Sequence, residues 1–197
     1  MISQSFEKNL STGRVGEDIV LGYLKKKFGT VYTVKGNGAH CFDGIVYTKD
    51  YLSGNSANNS AQFIFDVKTK PRMIGLCETG FDCYQFKRYK EISNSLNIPF
   101  IVFFVDWWLK KCYAVNITTI ETRVVSEWDT LSWPLDKMVC LFDLAATDSE
   151  ELQRRWESSN KNGSYFTQYT DAEKQEEVID GCSFSKLTFK ELVEGGR

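Results

Sequence analysis

Hydrophobic residues follow a helical period in two parts of the chain and a strand period in others. Residues 11–28 and 82–96 have apolar positions at helical spacing, and Gly29 is a suitable stop for the first helix. Runs of strand length and apolar or alternating character lie at 31–35, 41–48, 61–69, 100–105 and 111–115. The order helix, three strands, helix, strand predicts an α/β fold with a mixed central β-sheet flanked by helices.

Other segments predict how these elements are arranged. The run at 100–105 is apolar throughout, which predicts a strand covered on both faces at the centre of the sheet. Residues 50–60 are rich in Ser, Asn and Gly, which predicts an exposed hairpin loop, and residues 73–80 lack a period, which predicts a mobile loop near a site. After residue 117 the pattern weakens to a strand at 138–142, a short helix at 149–158 and a terminal helix within 184–192. We therefore expect a core domain at 1–117 and a C-terminal extension at 118–197 packed on the same domain.

Composition narrows the class of protein. The chain has 197 residues, 42% of them hydrophobic, and a net charge of -2, so any affinity for nucleic acid must come from a local patch. It contains no apolar run long enough to span a membrane, and we expect a soluble, cytoplasmic protein. The six cysteines form no C-x-x-C pair and only one histidine is present, so we expect reduced thiols in preference to structural zinc or a disulfide framework.

The strand at 61–69 carries an acid and a base. Alternation places Asp66 and Lys68 on one face of this strand and Val67 on the other. The plain alternative is a solvated ion pair at a strand end, and a D-x-K triplet alone is a weak signal. Asp43 is a second carboxylate in an apolar strand, and a hairpin through 50–60 would bring it near Asp66. Two such carboxylates repel each other unless a cation separates them, and Mg²⁺ prefers oxygen ligands.

Polar residues also interrupt the apolar faces of both predicted helices. Glu17 lies at the edge of the first apolar stripe, where a carboxylate needs a partner, and Arg14 is the structural alternative. Gln85 shares a helical face with Tyr89 and two aliphatic residues, so its amide is expected to face the core side. A hydrogen bond from Gln85 to the sheet backbone is the alternative there.

In this order, these residues resemble the PD-(D/E)XK nuclease superfamily, which has the fold of type II restriction enzymes. The resemblance covers roughly residues 11–115: a helix with Glu17, a strand with Asp43, and the triplet Asp66-Val67-Lys68 on the next strand. Residues 85–89 match a Q-x-x-x-Y element of members that process DNA ends. Two departures are the lack of a proline before Asp43 and Asp66 in a position where Glu is commoner.

The resemblance implies a restriction-endonuclease-like core in αβββαβ order and an Mg²⁺-dependent deoxyribonuclease. Asp43, Asp66 and the Val67 carbonyl would bind Mg²⁺, for which Mn²⁺ is a substitute, and Glu17 would hold a second ion or a water. Lys68 would assist the attacking water, and Gln85 would position that water or a phosphate. The residues expected to contact DNA are Lys70, Arg72, Arg88 and Tyr89.

Several alternatives stay open at this point. The chain could be a catalytically inactive nuclease-fold module that binds nucleic acid or a protein partner, or an unrelated α/β domain with structural acids. The sequence does not choose between DNA and RNA, endonuclease and exonuclease, or monomer and homodimer. The biological pathway is equally open, because members of one fold change substrate through loops and added segments.

Overall fold

A computed structural model describes residues 4–34, 41–47, 61–73, 76–120, 123–125, 130–159 and 182–195. The loop predicted at 50–60 lies outside these ranges. Along the chain the elements are α1 (Gln4–Phe28), β1 (Val31–Thr33), β2 (Gly44–Tyr47), β3 (Ala61–Thr69), β4 (Glu78–Asp82), α2 (Cys83–Leu96), β5 (Phe100–Asp106), β6 (Lys111–Asn116), β7 (Arg123–Val125), β8 (Thr130–Pro134), a 3₁₀ turn (Leu135–Lys137), β9 (Val139–Asp143), α3 (Ala146–Ser159) and α4 (Phe189–Glu194).

The central sheet has the strand order β1-β2-β3-β5-β6-β9. Strands β3 and β5 run parallel, and the other neighbouring pairs are antiparallel. A second sheet has the order β4-β8-β7. The fold is therefore a mixed α/β domain whose central sheet is mostly antiparallel and flanked by helices. Every residue of β5 is buried, as its apolar sequence predicts for a strand covered on both faces.

Two hydrophobic cores cover the two faces of the central sheet. Phe63 and Phe65 of β3 pack on one face with Val20 and Leu24 of α1. On the opposite face, Ile64 belongs to a core that includes side chains of α2, β4 and β8. The predicted alternation along β3 is confirmed, so Asp66 and Lys68 share the α2 side with Ile64.

The starts of α1, α2 and β4 differ from the boundaries predicted from the sequence. Helix α2 begins at Cys83 because the Asp82 side chain accepts hydrogen bonds from the backbone N–H of Tyr84 and Gln85. Helix α1 begins at Gln4, well before the predicted residue 11. The loop predicted at 73–80 is wrong at its end, because β4 begins at Glu78 and pairs with β8.

The chain after residue 117 completes both sheets. Strand β9 pairs with β6 at the edge of the central sheet, and β8 pairs with β4 in the second sheet. Nδ2 of Asn116 donates to the Leu192 carbonyl at 3.0 Å, which fixes α4 against β6. No helix in the described ranges has the length and apolar content that a membrane crossing requires.

A disulfide joins Cys77 to Cys182, although they are 105 residues apart in sequence. The expectation of reduced thiols is therefore wrong for this pair, while the other four cysteines are free. Both halves of the bridge are positioned by the segment before β9. The Cys77 carbonyl accepts from the Leu135 N–H at 2.8 Å, and the Ser185 N–H donates to the Met138 carbonyl at 2.7 Å. Sequence spacing alone does not show this proximity.

Reduction of the Cys77–Cys182 bridge should lower the free energy of unfolding, because the bridge closes a long loop in the unfolded chain. The expected loss is about 2–4 kcal/mol. Urea unfolding of the oxidised protein, the dithiol-reduced protein and Cys77→Ser measures it, with the free Cys140→Ser as control. Equal midpoints for all four samples would contradict the expectation.

Candidate active site

A buried ion pair lies near the end of β3. Asp66 is 6% exposed, and its Oδ2 lies 2.8 Å from Nζ of Lys68. This contact lacks hydrogen-bond geometry, so the attraction is mainly that of opposite charges. Lys68 Nζ also donates a hydrogen bond of 3.0 Å to the Tyr89 hydroxyl on α2. The lysine is thereby held between a carboxylate and a phenol.

Tyr89, whose hydroxyl accepts the hydrogen bond from Lys68, is a buried residue. Its side chain is 3% exposed, and its ring stacks on that of Phe100 at a centroid distance of 4.4 Å. Burial, followed by the charge of Asp66, raises the pKa of the Tyr89 phenol above its ordinary value, so the phenol stays neutral. A ring buried in this way does not fit the predicted contact of Tyr89 with a nucleic acid.

Asp43 lies beside the same stretch of β3. Its N–H donates to the Phe65 carbonyl at 2.9 Å, and its Oδ2 accepts from the Val67 N–H at 2.7 Å. The backbone ladder between β2 and β3 ends at the pair Gly44 and Phe65. Beyond it, the Asp43 carboxylate takes the place of a backbone carbonyl as the acceptor for the Val67 N–H. Because backbone groups alternate between strand edges, the Val67 carbonyl lies on this edge too.

Charge repulsion within the cluster is visible at Asp43. The pKa of its carboxyl is raised to about 7, chiefly by burial and next by the charge of Asp66. The charge of Glu17 raises it as well, whereas the Val67 hydrogen bond and Lys68 lower it. The structure thus brings Glu17, Asp43, Asp66 and Lys68, predicted on three separate elements, within electrostatic range of one another.

Helix α1 carries Glu17 to the cluster through a close contact with β3. A Cβ added to Gly16 would lie 1.9 Å from the Thr69 Oγ1, so only glycine fits at this position. The same Oγ1 donates to the Gly13 carbonyl at 3.3 Å. The dipeptide Gly16-Glu17 therefore combines close helix–strand approach with a carboxylate at the sheet end.

Substitution of Gly16 tests this contact. We expect Gly16→Ala to destabilise the fold by about 1–3 kcal/mol, because α1 must move away from Thr69. Gly22 on the same helix is the matched control, since its added Cβ would meet nothing within 4 Å. Gly22→Ala should instead stabilise by about 0.5–1 kcal/mol. Thermal melting of both variants checks this, and equal shifts in the same direction would contradict it.

The donor chemistry of the cluster fits a hard divalent cation. Carboxylate oxygens and a backbone carbonyl are the ligands that Mg²⁺ takes, and a cation would offset both the burial and the repulsion from Asp66 that raise the Asp43 pKa. Among the described residues, no group of three His, Cys, Asp or Glu side chains is arranged to hold a metal as it stands. Lys68 occupies the cationic position beside Asp66, and Val67 engages Asp43. Metal binding therefore requires these side chains to shift.

Asp43→Asn should raise the melting temperature of the metal-free protein at neutral to alkaline pH. The folded-state pKa of Asp43 exceeds its ordinary value of 3.8 and reaches about 7. Between pH 3.8 and about 7 the folded chain therefore binds more protons than the unfolded chain, so its stability falls as the pH rises through that interval and stays at the lower value at neutral to alkaline pH. Asn removes the charge and keeps an oxygen for the Val67 N–H. Melting curves in EDTA across this pH range measure the effect, and a variant that melts lower than wild type near pH 8 would refute it.

Gln85 does not face the core as predicted. Its side chain is exposed, and the buried face of α2 is formed by Phe86, Tyr89 and Ser93. The buried stripe is thus one residue out of register with the predicted one. Gln85 lies in the first turn of α2, where its N–H donates to Asp82 Oδ1 at 3.2 Å.

Two of the predicted nucleic-acid contacts point inward. Arg72 is 1% exposed, and its Nη1 donates to the carbonyls of Met73 at 3.0 Å and Leu76 at 2.7 Å. Lys70 donates to the Gly80 carbonyl. Burial, and next the charge of Lys68, lower the pKa of Lys70 to about 8. In this conformation both cations are engaged with backbone carbonyls in and before β4, an arrangement that does not favour the predicted contacts with nucleic acid.

Asp106 is a structural residue that the sequence pattern did not reveal. Its carboxylate is fully buried and accepts from the N–H of Arg72 at 2.7 Å, Trp108 at 2.8 Å and Leu109 at 3.0 Å. The Tyr113 hydroxyl adds a bond of 3.1 Å. An Asp that ends an apolar strand and precedes a turn was the available signal.

Comparisons with protein-family models, with curated proteins and with solved structures found no match. The class of protein is therefore defined only by the fold and by the geometry of the candidate site. It is a mixed α/β domain with three carboxylates and a lysine at one end of its central sheet.

Proposed function

We propose that this chain is an Mg²⁺-dependent nuclease that hydrolyses phosphodiester bonds of DNA, on a restriction-endonuclease-like core. The observation that carries the proposal is the buried Asp66–Lys68 pair, with the carboxylates of Asp43 and Glu17 within electrostatic range. Carboxylates that are buried close together lower the stability of a fold, and such clusters are typical of catalytic and metal-binding sites.

The residues proposed to hold Mg²⁺ are Asp43, Asp66 and the Val67 carbonyl, with Glu17 beside them. When bound, Mg²⁺ supplies charge neutralisation for the phosphate and a lowered pKa for water. Asp43 at a pKa of about 7 is largely unprotonated in mildly alkaline solution, where cation binding and proton loss support each other.

Lys68 is proposed to act on the reacting phosphate and its attacking water. Its ammonium group has three donors, of which one bonds the Tyr89 hydroxyl at 3.0 Å. Asp66 Oδ2 lies 2.8 Å from the same ammonium nitrogen. The hydrogen bond to Tyr89 keeps this cation beside the carboxylate cluster, where its positive charge would oppose the negative charge that develops on the phosphate.

Incubation of the purified chain with labelled linear, nicked, circular and single-stranded DNA, and with RNA, tests the proposal. Mg²⁺, Mn²⁺ and EDTA are compared in parallel. We expect cleavage with either metal and none in EDTA. Cutting of a circle identifies an endonuclease, and degradation of linear strands alone identifies an exonuclease. Binding of these substrates without any cleavage would instead support an inactive nuclease-fold module.

A further inference from the structure

An exposed surface on the first two turns of α2 borders the carboxylate cluster. It consists of Tyr84 and Arg88, one helical turn apart, with Cys41 beside them, and we call it the α2 rim. The Tyr84 side chain is 69% exposed, and Arg88 is exposed as well. Tyr89, the next residue after Arg88, turns inward to Lys68. Cys41 of the α2 rim is also one of the groups that raise the pKa of Tyr89, so the α2 rim lies beside the proposed site.

The side chains of the α2 rim contact one another. Arg88 Nη2 donates to Cys41 Sγ at 3.2 Å. The pKa of the Arg88 guanidinium is raised first by this contact with Cys41 and then by a hydrogen bond with Tyr84. Cys41 lies two residues before Asp43 in the chain. The phenol ring and the guanidinium are thus oriented together at the edge of the cluster.

The chemistry of this pair matches one kind of ligand. A guanidinium binds phosphate oxygens through paired N–H donors. An exposed aromatic ring offers a flat face to a nucleobase, and such stacking is tolerant of sequence. The bases of an intact duplex have their faces covered by neighbouring bases, so only an unpaired base is available to the ring. Asp82, the acid that precedes α2, is engaged in capping the N–H groups of Tyr84 and Gln85, and Glu91 follows Arg88 by three residues on the helix.

We propose that the α2 rim binds an unpaired nucleotide next to the scissile phosphate, with its base on Tyr84 and its phosphate at Arg88. The substrate class is then a single strand or the unpaired end of a duplex. The adjacency to a scissile phosphate rests on the proposed nuclease function, whereas binding of the unpaired nucleotide stands on the α2 rim alone.

Fluorescence anisotropy in EDTA tests binding without cleavage. The probes are end-labelled oligothymidylate, its RNA counterpart, a blunt hairpin duplex closed by a non-nucleotide linker so that it has no unpaired base, and an abasic strand of equal length. Tyr84→Ala should weaken binding of both oligothymidylate and its RNA counterpart by about tenfold, and Tyr84→Phe should bind like wild type. The abasic strand and the hairpin should show no difference between wild type and Tyr84→Ala.

The same anisotropy assay tests the proposed contact between the Arg88 guanidinium and a phosphate. Arg88→Ala should weaken binding of every probe, because the phosphate contact does not depend on a base. Lys190→Ala is the matched control, since Lys190 is an exposed cation near the start of β3, at the other end from the site. A Tyr84→Ala variant that binds oligothymidylate like wild type, or that loses hairpin binding equally, would overturn the proposal.

The two proposals fail separately. If the chain cleaves no substrate with Mg²⁺ yet Tyr84→Ala loses single-strand binding, the nuclease proposal fails and the nucleotide site stands. If wild type cleaves a blunt hairpin and a single strand at equal rates and Tyr84→Ala changes neither rate, the nuclease proposal stands and the unpaired-nucleotide proposal fails.

Discussion

Replacement of Lys68 by Met should reduce Mg²⁺-dependent cleavage by about 10²–10³-fold, the loss typical when a positioned cationic or hydrogen-bond donor is removed from a transition state. Met keeps the length of the side chain and removes its charge. Rates measured under single-turnover conditions, with enzyme in excess, report the chemical step directly. Lys111→Met is the matched control, because Lys111 pairs with the exposed Asp143 on the opposite side of β5 from β3.

The same Lys68→Met variant separates catalysis from metal binding. Without Lys68, Asp66 loses its cationic partner at 2.8 Å while the charge of Asp43 remains close by. We therefore expect lower stability in EDTA and a larger rise in melting temperature on addition of Mg²⁺ than wild type shows. A cleavage rate within twofold of wild type would exclude a catalytic role for Lys68.

Asp106→Ala should cause the largest loss of stability, at about 3 kcal/mol or more, because each buried donor left without an acceptor costs about 1–3 kcal/mol. Three backbone N–H groups and the Tyr113 hydroxyl now bond this one carboxylate. Loss of the acceptor would also release Arg72, which follows β3 and supports the β4 region.

Denaturant unfolding of Asp106→Ala and Asp143→Ala provides the comparison. Asp143 makes an ion pair while 76% exposed, so its loss should change the free energy of unfolding by less than about 1 kcal/mol. Asp106→Asn should fall between wild type and Asp106→Ala, since one oxygen acceptor remains. Similar midpoints for Asp106→Ala and Asp143→Ala would show that the buried network contributes little.

Local periodicity predicted the parts of the fold that local physics determines. The bounds of β3, the burial of β5 and the shared direction of Asp66 and Lys68 follow from strand alternation and apolar content. The strand carrying Asp43 was predicted for the same reason, although its ladder with β3 begins only at Gly44. Two-residue alternation fixes the face of a side chain once the strand is known.

The parts that were not predicted depend on contacts distant in sequence. Strand β4 is stabilised by β8, and the Cys77–Cys182 bridge joins residues that are 105 positions apart in sequence. The burial of Arg72 depends on Asp106 of another strand. Gln85 and Phe86 lie four and three residues before Tyr89, so helical periodicity allows either beside it, and the apolar Phe86 occupies the buried face.

The central claim is that this carboxylate–lysine cluster is a metal-dependent nuclease site. Wild type and Asp66→Asn, purified in parallel by the same procedure, should be incubated with a mixture of labelled single-stranded and duplex DNA in Mg²⁺ and in EDTA. We expect cleavage by wild type with Mg²⁺, none in EDTA, and none by a folded Asp66→Asn protein in either condition. Equal cleavage by wild type and Asp66→Asn, or no cleavage by wild type with Mg²⁺ or Mn²⁺, would contradict it.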